Sequence, residues 1–450
     1  MNFDYNLDSF NKLSYEEWLT QVEKQLGKSL SSLNSNLTED ISIKAIYENK
    51  GKELNPNPQN ETKLFDRELI KNYDIVLYFS DYIKDGIDTI SELAFILYST
   101  IKEYDKNKNL LLVIGLNSDI YLNISKLRAL RLLLNALSSE LELKEFKFDI
   151  LACVSPINKS VLDKENNLIR QSAEIFSAIL GNADYVETLP YSLDYNDEFA
   201  TRISKNIFHI IDKETYLTKI LDPVKGSYFF EELTSELISK SLDLFKEFSK
   251  LSNDDVFEII DKKIKANNKI LSDNIKSRKT KLLGVNVYSN NKDNITKLNN
   301  SGFSKLFEEF RLKSEEYEKE HGSKAKIYLI TFGLLADIKA RIDFIVDFFS
   351  CGGFECEISN QFEMIEDAVS TIDLKNYNLN IIVSTDELYK EIIPDLTSTI
   401  KIFNPNCKLY LAGKPKDDFQ RYSEIGIDNY IHLNSNIYEE LKLTWELYSI

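Results

Sequence analysis

The sequence predicts an α/β protein built on two parallel sheets, and three observations predict it. Short apolar runs typical of buried strands alternate with amphipathic helical segments between about residue 70 and residue 235. The same alternation returns from residue 326 onward. Between the two series lies a charged stretch that is poor in strand patterns. A repeated strand–helix–strand order favours parallel sheets with right-handed crossovers.

The composition fits a chain of two or three domains and excludes several classes of function. The chain has 450 residues with 26 Phe and 24 Tyr, enough to fill sizeable cores. Its net charge of −17 argues against binding a nucleic-acid backbone. Its four cysteines lack metal-site spacing and are typical of buried thiols in a reducing compartment. With no signal-peptide pattern and no apolar run of membrane-spanning length, we expect a cytoplasmic protein.

Residues 1–62 are expected to form an N-terminal arm and linker. A short helix is predicted from Ser14 to Gln25, and the polar stretch that follows it, ending in NPNPQNET, lacks periodicity. Pro56 and Pro58 favour an extended conformation in that stretch. A disordered tail is the alternative interpretation.

Residues 63–235 are expected to form the first α/β domain. A helix is predicted after each of its strands, as in DIYLNISKLRALRLLLNAL, where leucines recur at helical spacing. Four such units suit either half of a (β/α)8 barrel or an open doubly wound sheet. The predicted strands are, in order, DIVLYFS (74–80), LLLVIG (110–115), KFDILACV (147–154) and ADYVETL (183–189).

Residues 236–325 are expected to be a helical linker that ends in the solvated stretch SEEYEKEHGSKAK. Residues 326–450 hold the second series, and five strands with alternating helices are the flavodoxin-like pattern. Ligands of such sheets bind outside the carboxyl ends of the strands, so a site is expected at the loops after Ile330, Val383 and Leu411. The predicted strands are KIYLITFG, GFECEI, NLNIIVS, CKLYLAG and DNYIHL.

The residue pattern by itself indicates no catalytic centre and no metal site. The chain has three histidines, and none lies at helical spacing from another histidine or from a cysteine. His209, in the apolar run NIFHII, is expected to be a core residue. The sequence contains no nucleophile elbow, no dinucleotide-binding glycine motif and no Walker loop.

Several segments of the chain resemble the methylmalonyl-CoA mutase family. The stretch 198–234 is the most specific match, and Asn158-Lys159-Ser160 is similar to the Asn-Lys-Thr of the family's small subunits. The stretch AGKPKDD (412–418) is similar to a small-subunit loop. The resemblance implies a truncated, degenerate TIM-barrel-like domain and a degenerate flavodoxin-like domain of the cobalamin-binding type. The other matching segments are LSYEEWLTQVEKQLGKSL (13–30), SDIYLNISKLRALRLL (118–133) and INKSVLDKENNLIRQSAEIFSAILGNADYVETLPY (157–191).

The resemblance also implies where a cobalamin ligand would stand. The family's large subunit uses Asp-x-His-x-x-Gly after the first strand of its C-terminal domain, with the histidine as lower cobalt ligand. In this chain Leu335 stands at the Asp position, Asp337 at the His position and Ala340 at the Gly position. Leucine cannot accept the imidazole proton, and a carboxylate is a poor match to cobalt. No cobalamin-binding residue is therefore expected here.

Further positions that line the site in the family are altered as well. Ser384 and Gly413 resemble residues of the slot for the cobalamin nucleotide tail, although Gly413 also suits an ordinary turn. Lys414 replaces a second glycine, and its side chain is expected to fill the slot. In the first domain Asn117 stands where the large subunit has its active-site histidine, and an amide cannot act as a general acid near pH 7. The residues 153–157 lack the polar groups of the family's Gln-Thr-Ser-Gly-Trp stretch, and the family's earlier barrel strands are expected to be absent between the arm and DIVLYFS.

These changes imply a non-catalytic small subunit of methylmalonyl-CoA mutase that works as a heterodimer with a large subunit. The large subunit of the family carries adenosylcobalamin and interconverts (R)-methylmalonyl-CoA and succinyl-CoA by a radical rearrangement. A half barrel is expected to leave one sheet face unburied, which predicts a partner. The alternative is a catalytically active cobalamin-dependent acyl-CoA isomerase. A small-molecule sensor is a third possibility, supported only by Asp337 and Lys414.

Overall fold

The structure is a computed structural model in which the described chain separates into two units. One unit comprises the described residues up to Asn55 together with Lys225–Leu233, and the other comprises Pro56–Val224 and Thr234–Ile450. No helix within the described ranges is long and apolar enough to cross a membrane. The described residues are 13–38, 40–48, 53–58, 60–103, 108–140, 146–292, 294–295, 297–371, 377–403, 405–415 and 418–448.

The N-terminal unit contains the predicted helix, here α1 (Tyr15–Leu26). Ser14 and Glu17 form a capping box in which each side chain accepts a hydrogen bond from the other residue's backbone N–H. The helix ends at Gly27, whose φ of 67° is the left-handed conformation that glycine adopts without strain. The stretch after the helix, expected to be extended, also contains regular structure. It consists of a 3-10 helix Leu30–Leu33 and an antiparallel pair, β1 (Ser35–Asn36) and β2 (Ser42–Ile43).

The first sheet of the second unit has five parallel strands in the order β3-β7-β6-β5-β4. The four predicted strands are confirmed as β4 to β7, and the sequence missed β3 because it is only two residues long. The elements are β3 (Lys63–Leu64), a 3-10 helix (Arg67–Asn72), β4 (Ile75–Tyr78), α2 (Ser80–Lys84), α3 (Thr89–Glu103), β5 (Asn109–Gly115), α4 (Ile120–Glu140), β6 (Lys147–Cys153), α5 (Asn166–Leu180), β7 (Tyr185–Glu187), α6 (Glu198–Lys213) and a 3-10 helix (Leu217–Lys219).

The strand order identifies the first sheet as part of a barrel. The first strand, β3, pairs with the last, β7, as the two ends of a closing barrel do. The ring then stays open between β3 and β4, so this is a partial barrel of five strands. A partial barrel-like sheet is what the sequence predicted.

The inner face of this sheet is covered by the chain itself, which corrects the expectation of an unburied face. The residues 65–73, here called the inner-face segment, connect the two edge strands β3 and β4. Phe65 of this segment is buried together with Leu111 and Val113 of β5 and Leu151 of β6. The side chains of Leu69, Ile70 and Tyr73 pack against the same cluster. Its six residues in the 3-10 helix rise about 12 Å and its other three span roughly 10 Å, which is enough to cross the roughly 19 Å between the outermost of five strands.

The outer face of the first sheet is covered by helices. Leu127, Leu130 and Leu134 of α4 are fully buried, as their helical spacing predicts. The same helix buries Arg128, whose guanidinium donates two hydrogen bonds to the Asp222 carboxylate at 2.9 and 3.0 Å. Because Asp222 lies in the stretch 198–234, this ion pair gives that segment a structural role.

The expectation that His209 is a core residue is wrong, and the burial of Pro56 and Pro58 was not predicted. His209 lies on the exposed side of α6, and the neighbouring Phe208 is the residue that is buried in the core. Pro56 and Pro58, expected in an extended linker, are buried. Their stretch is fixed by Asn135 of α4, whose side-chain N–H donates to the Pro56 carbonyl at 3.0 Å.

Three long helices occupy the stretch expected to be a linker. They are α7 (Tyr228–Phe248), α8 (Asn253–Lys276) and α9 (Lys305–His321). The expected boundary at residue 235 falls inside α7. The stretch SEEYEKEHGSKAK is not a solvated linker, because most of it belongs to α9, where Ser314 is buried and Tyr317 packs on the core. Charge along one face of a helix does not prevent packing of the other face.

The second sheet has five parallel strands in the order β12-β11-β10-β8-β9, which is the flavodoxin-like order predicted from the sequence. One buried cluster, which includes Phe307 and Trp445, lies on one face, and a second, which includes Tyr389 and Leu396, lies on the other. The elements are β8 (Lys326–Thr331), α10 (Leu335–Ser350), β9 (Glu355–Ile358), α11 (Ile365–Thr371), β10 (Leu379–Val383), α12 (Asp386–Phe403), β11 (Lys408–Ala412), α13 (Phe419–Glu424), β12 (Asn429–Ile431) and α14 (Ile437–Tyr448).

Candidate functional site

The carboxyl ends of β8, β10 and β11 meet at one edge of the second sheet, as expected for the loops after these strands. This edge is where flavodoxin-like sheets bind ligands, because the strand order reverses direction there. The side chain that joins the three loops is Arg341 of α10. Its Nη1 donates to the Ser384 carbonyl at 2.6 Å, and its Nη2 donates to the Asp386 carboxylate at 2.6 Å.

Arg341 also closes the space beside Gly413. A Cβ added to Gly413 would lie 3.6 Å from the Arg341 Nη1 atom. The guanidinium carbon is 5.5 Å from the centre of the Tyr389 ring, within cation–π range. Burial alone would lower the pKa of Arg341, but the hydrogen bond to Asp386 and the nearby Tyr389 and Asp386 groups together outweigh this effect and raise the pKa. The charged guanidinium is therefore a fixed part of this edge.

Ser384 and Tyr389 form the buried floor beneath the guanidinium. The Ser384 hydroxyl donates to the Phe332 carbonyl at 3.0 Å, so this hydroxyl is already used within the protein. The Tyr389 hydroxyl accepts the Ser384 N–H at 2.9 Å and lies 2.8 Å from the Ala412 carbonyl. Burial raises the pKa of Tyr389 to about 12, which keeps the phenol protonated at neutral pH. The hydroxyl groups of Ser384 and Tyr389 are thus both used in hydrogen bonds within the protein.

Leu335, Asp337 and Ala340, which the resemblance placed at the cobalt-ligand motif, lie on the first turns of α10. Leu335 is 47% exposed, and Asp337 and Ala340 are also exposed. The carboxylate of Asp337 lies in the first turn, where a negative charge is stabilised by the helix dipole. Among the described residues, no three His, Cys, Asp or Glu side chains are grouped so that they could hold a metal ion.

Lys414 does not fill the slot beside Gly413, which corrects the expectation from the sequence. Its side chain is exposed, and its Nζ atom lies over the Phe419 ring at 5.0 Å from the centroid. Arg341 is the long side chain that takes the space. Sequence reasoning missed Arg341 because it lies within the helix after β8, one residue beyond the motif that ends at Ala340.

In the first sheet, Asn117, which the resemblance placed at the position of an active-site histidine, has a local structural role. The Asn117 side-chain oxygen accepts the Asp119 N–H at 2.8 Å, and its backbone pairs with the Asn123 side chain. These bonds shape the turn that starts α4. On the next strand, burial raises the pKa of the Cys153 thiol well above its usual value, so the thiol is not poised as a nucleophile.

The Asn158-Lys159-Ser160 segment forms a buried polar joint with the start of α9. Lys159 Nζ donates to Glu174 at 2.6 Å, and burial lowers the pKa of Lys159 while this contact opposes the shift. The Ser160 hydroxyl donates to the Glu308 carboxylate at 2.7 Å, and the other oxygen of Glu308 accepts the Asn299 N–H at 2.6 Å. Sequence reasoning missed Glu308 and Asn299 because their contacts span about 140 residues of chain.

The chain combines a partial parallel barrel with a flavodoxin-like sheet, and an arginine occupies the ligand edge of the second sheet. These features define a two-sheet α/β protein of the barrel-plus-flavodoxin type. The family model for methylmalonyl-CoA mutase matches residues 100–326, half of the chain. The chain therefore belongs to the methylmalonyl-CoA mutase family.

The individual proteins to which the chain is similar are methylmalonyl-CoA mutases or their small subunits. The chain is 26% identical over 356 residues to the methylmalonyl-CoA mutase small subunit of Porphyromonas gingivalis, covering 73% of this chain and 56% of the relative. It is 25% identical over 303 residues to the small subunit of Streptomyces virginiae, covering 64% and 49%. It is 30% identical over 180 residues to the methylmalonyl-CoA mutase of Cereibacter sphaeroides, covering 36% and 25%. The chain thus spans about half the length of the small subunits it matches.

Proposed function

We propose that this chain is a non-catalytic small subunit of a methylmalonyl-CoA mutase, working as a heterodimer with a large subunit. The large subunit would carry adenosylcobalamin and interconvert (R)-methylmalonyl-CoA and succinyl-CoA by a radical rearrangement. The observation that carries the non-catalytic part of the proposal is the covered inner face of the first sheet. A substrate arm that passes through a barrel needs an open lumen, and here the inner-face segment fills that space with Phe65, Leu69, Ile70 and Tyr73.

The edge of the second sheet supports the same proposal, because its residues do not fit cobalamin. Leu335 and Asp337 offer neither an imidazole ligand nor its hydrogen-bond partner. The slot beside Gly413 holds the Arg341 guanidinium, and the Ser384 hydroxyl is bonded to Phe332. A nucleotide tail would have to displace a charged side chain from three hydrogen-bond acceptors. The same features weigh against the alternative of an active cobalamin-dependent isomerase.

The N-terminal unit supplies a surface suited to a partner. Helix α1 carries an apolar stripe at helical spacing, Tyr15, Trp18, Leu19, Val22 and Leu26, and none of its residues is buried. A capped, amphipathic helix of this kind is stable enough to present its stripe to another chain. We propose that the arm contacts the large subunit.

The proposal is tested by co-expression with the cognate large chain that carries Asp-x-His-x-x-Gly. We expect a stable complex that converts methylmalonyl-CoA, while the purified small chain neither converts it nor gives a histidine-ligated spectrum when titrated with hydroxocobalamin. The matched control is the large chain titrated in the same way. Cobalamin-dependent turnover by the small chain alone would establish the alternative, and failure to form any complex would contradict the subunit role.

A further inference from the structure

A preformed cleft of about 580 Å³ lies at the carboxyl end of the first sheet. Its walls come from α2 and the residue after it, from Ile157, from the second half of α8, and from residues 300–303 with the first two residues of α9. Its volume lies within the range of small-molecule sites, roughly 300–1,000 Å³. Loops at the carboxyl ends of barrel strands are also the usual place for ligand sites in such folds. None of the residues assigned above to the degenerate cofactor edge lines it.

Hydrogen bonds on both sides keep the cleft open in one shape. On the α8 side, the side chains of Asn267 and Asn268 donate to the carbonyls of Gly86 and Asp85 at 2.7 and 3.1 Å. On the opposite side, the Phe303 N–H donates to the Ile157 carbonyl at 3.0 Å. The buried joint of Lys159, Asn299 and Glu308 lies directly behind this second wall. Fixed walls reduce the entropy that a ligand must lose on binding.

The two walls carry opposite charge. Asp81 already pairs with Lys84 at 2.6 Å, so Asp85 gives the α2 wall its net negative charge. Lys305 gives the facing wall a positive charge at the first residue of α9, where the helix dipole adds to it. The Lys305 ammonium is 3.9 Å from Glu309, an exposed contact that competes weakly with a ligand. Ile157, Phe303 and Leu306 supply apolar lining.

From this arrangement we infer that the cleft binds a small zwitterion of the size of a free amino acid or a dipeptide. The ligand's ammonium group pairs with Asp85, its carboxylate pairs with Lys305, and its side chain lies against the apolar lining. A plain anion would be repelled by Asp85, and a plain cation would be repelled by Lys305, so a ligand that carries both charges is favoured over either one alone. This inference does not depend on the proposed subunit role.

The test is calorimetric titration of the full chain with the twenty amino acids and with Ala-Leu, N-acetyl-Ala-Leu and Ala-Leu amide. We expect saturable binding of at least one zwitterion. If Ala-Leu is that ligand, blocking either end should weaken binding by about tenfold or more, as expected for loss of a hydrogen bond to a charged group. The variants Asp85→Asn and Lys305→Gln should cause a similar loss.

The matched control is Lys262→Gln, which removes an exposed lysine that also pairs with a glutamate four residues away. It should leave binding unchanged, and circular dichroism and melting temperature should show that all three variants are folded. Absence of binding for every zwitterion would overturn the inference. Binding that survives both Asp85→Asn and Lys305→Gln would overturn it as well, because the ligand would then lie elsewhere.

Discussion

At the scale of single residues, Arg341 determines the character of the second sheet's ligand edge. Its guanidinium bonds the loops that follow β10 and β11 and lies against Gly413 and Tyr389. The space beside Gly413 is therefore occupied by a side chain of the protein itself. That this edge binds no cobalamin is part of the proposed function.

Replacing this residue, Arg341→Ala, should destabilise the second sheet. The change removes charge-assisted hydrogen bonds to Ser384 and Asp386, each worth about 1.5–3 kcal/mol when shielded and less here, because the side chain is partly exposed. We expect a loss of about 1–2 kcal/mol, measured as a lower urea midpoint. The control is Lys339→Ala on the same helix, whose exposed ion pair with Asp343 should contribute little. Equal midpoints for both variants would contradict the role given to Arg341.

The second prediction at the scale of residues concerns Glu308. Its buried carboxylate accepts hydrogen bonds from the Ser160 hydroxyl and from the backbone of Val161 and Asn299. In Glu308→Gln, one oxygen becomes an NH2 group that faces donors, which should cost about 1–3 kcal/mol. A lower melting temperature than that of Glu309→Gln, the exposed neighbour on α9, is the expected measurement. A variant as stable as this control would mean that the joint between 158–160 and α9 contributes little.

At the scale of elements, the sequence predicted most helices and strands but not which segments of the chain cover the faces of the sheets. The strands β5 and β6 were predictable because their apolar runs are long, whereas β3 has two residues and no periodicity. The inner-face segment was missed because its apolar residues have no regular spacing: Phe65 and Tyr73 flank a short 3-10 helix, and Leu69 and Ile70 lie within it. The helix α9 was taken for a linker because its exposed face is rich in charge.

The candidate site was predictable only in part, for a related physical reason. The loops after β8, β10 and β11 follow from topology, and Leu335, Asp337 and Ala340 can be read directly from the sequence. Which long side chain closes the slot depends on three-dimensional geometry. Lys414 is nearer in sequence to Gly413, but it points to Phe419, and Arg341 reaches the slot from another helix.

A prediction at the scale of elements concerns the contact between helix α1 and the large subunit. If its apolar stripe contacts the large subunit, Trp18→Ala should weaken the complex, since a buried tryptophan at an interface commonly contributes about 2 kcal/mol or more. That loss corresponds to roughly 30-fold in the dissociation constant, measured by titration of the large chain. Gln21→Ala, on the exposed polar side of the same helix, is the control and should bind as the unmodified chain does. Unchanged affinity for Trp18→Ala would exclude this face from the interface.

At the scale of the whole molecule, the covered inner face changes the reason to expect a partner. An open half barrel would expose a large apolar face and would need another chain to fold. Here the inner-face segment covers that face, and helices cover the outer one. The partner proposal therefore depends on family membership and on α1, and the first sheet need not depend on a partner for stability.

This arrangement predicts that the chain expressed without a large subunit remains folded and monomeric. Light scattering should give the mass of one chain, and the melting temperature should rise only slightly when the large subunit is added. The variant Phe65→Ala tests the cause, because removing a buried phenylalanine typically costs about 3–5 kcal/mol and would here uncover the inner face. It should lower the melting temperature and promote association, whereas Phe199→Ala, which truncates an exposed phenylalanine, should do neither. Aggregation of the unmodified lone chain, with rescue by the large subunit, would show that the inner-face segment is not sufficient and that the partner completes the barrel.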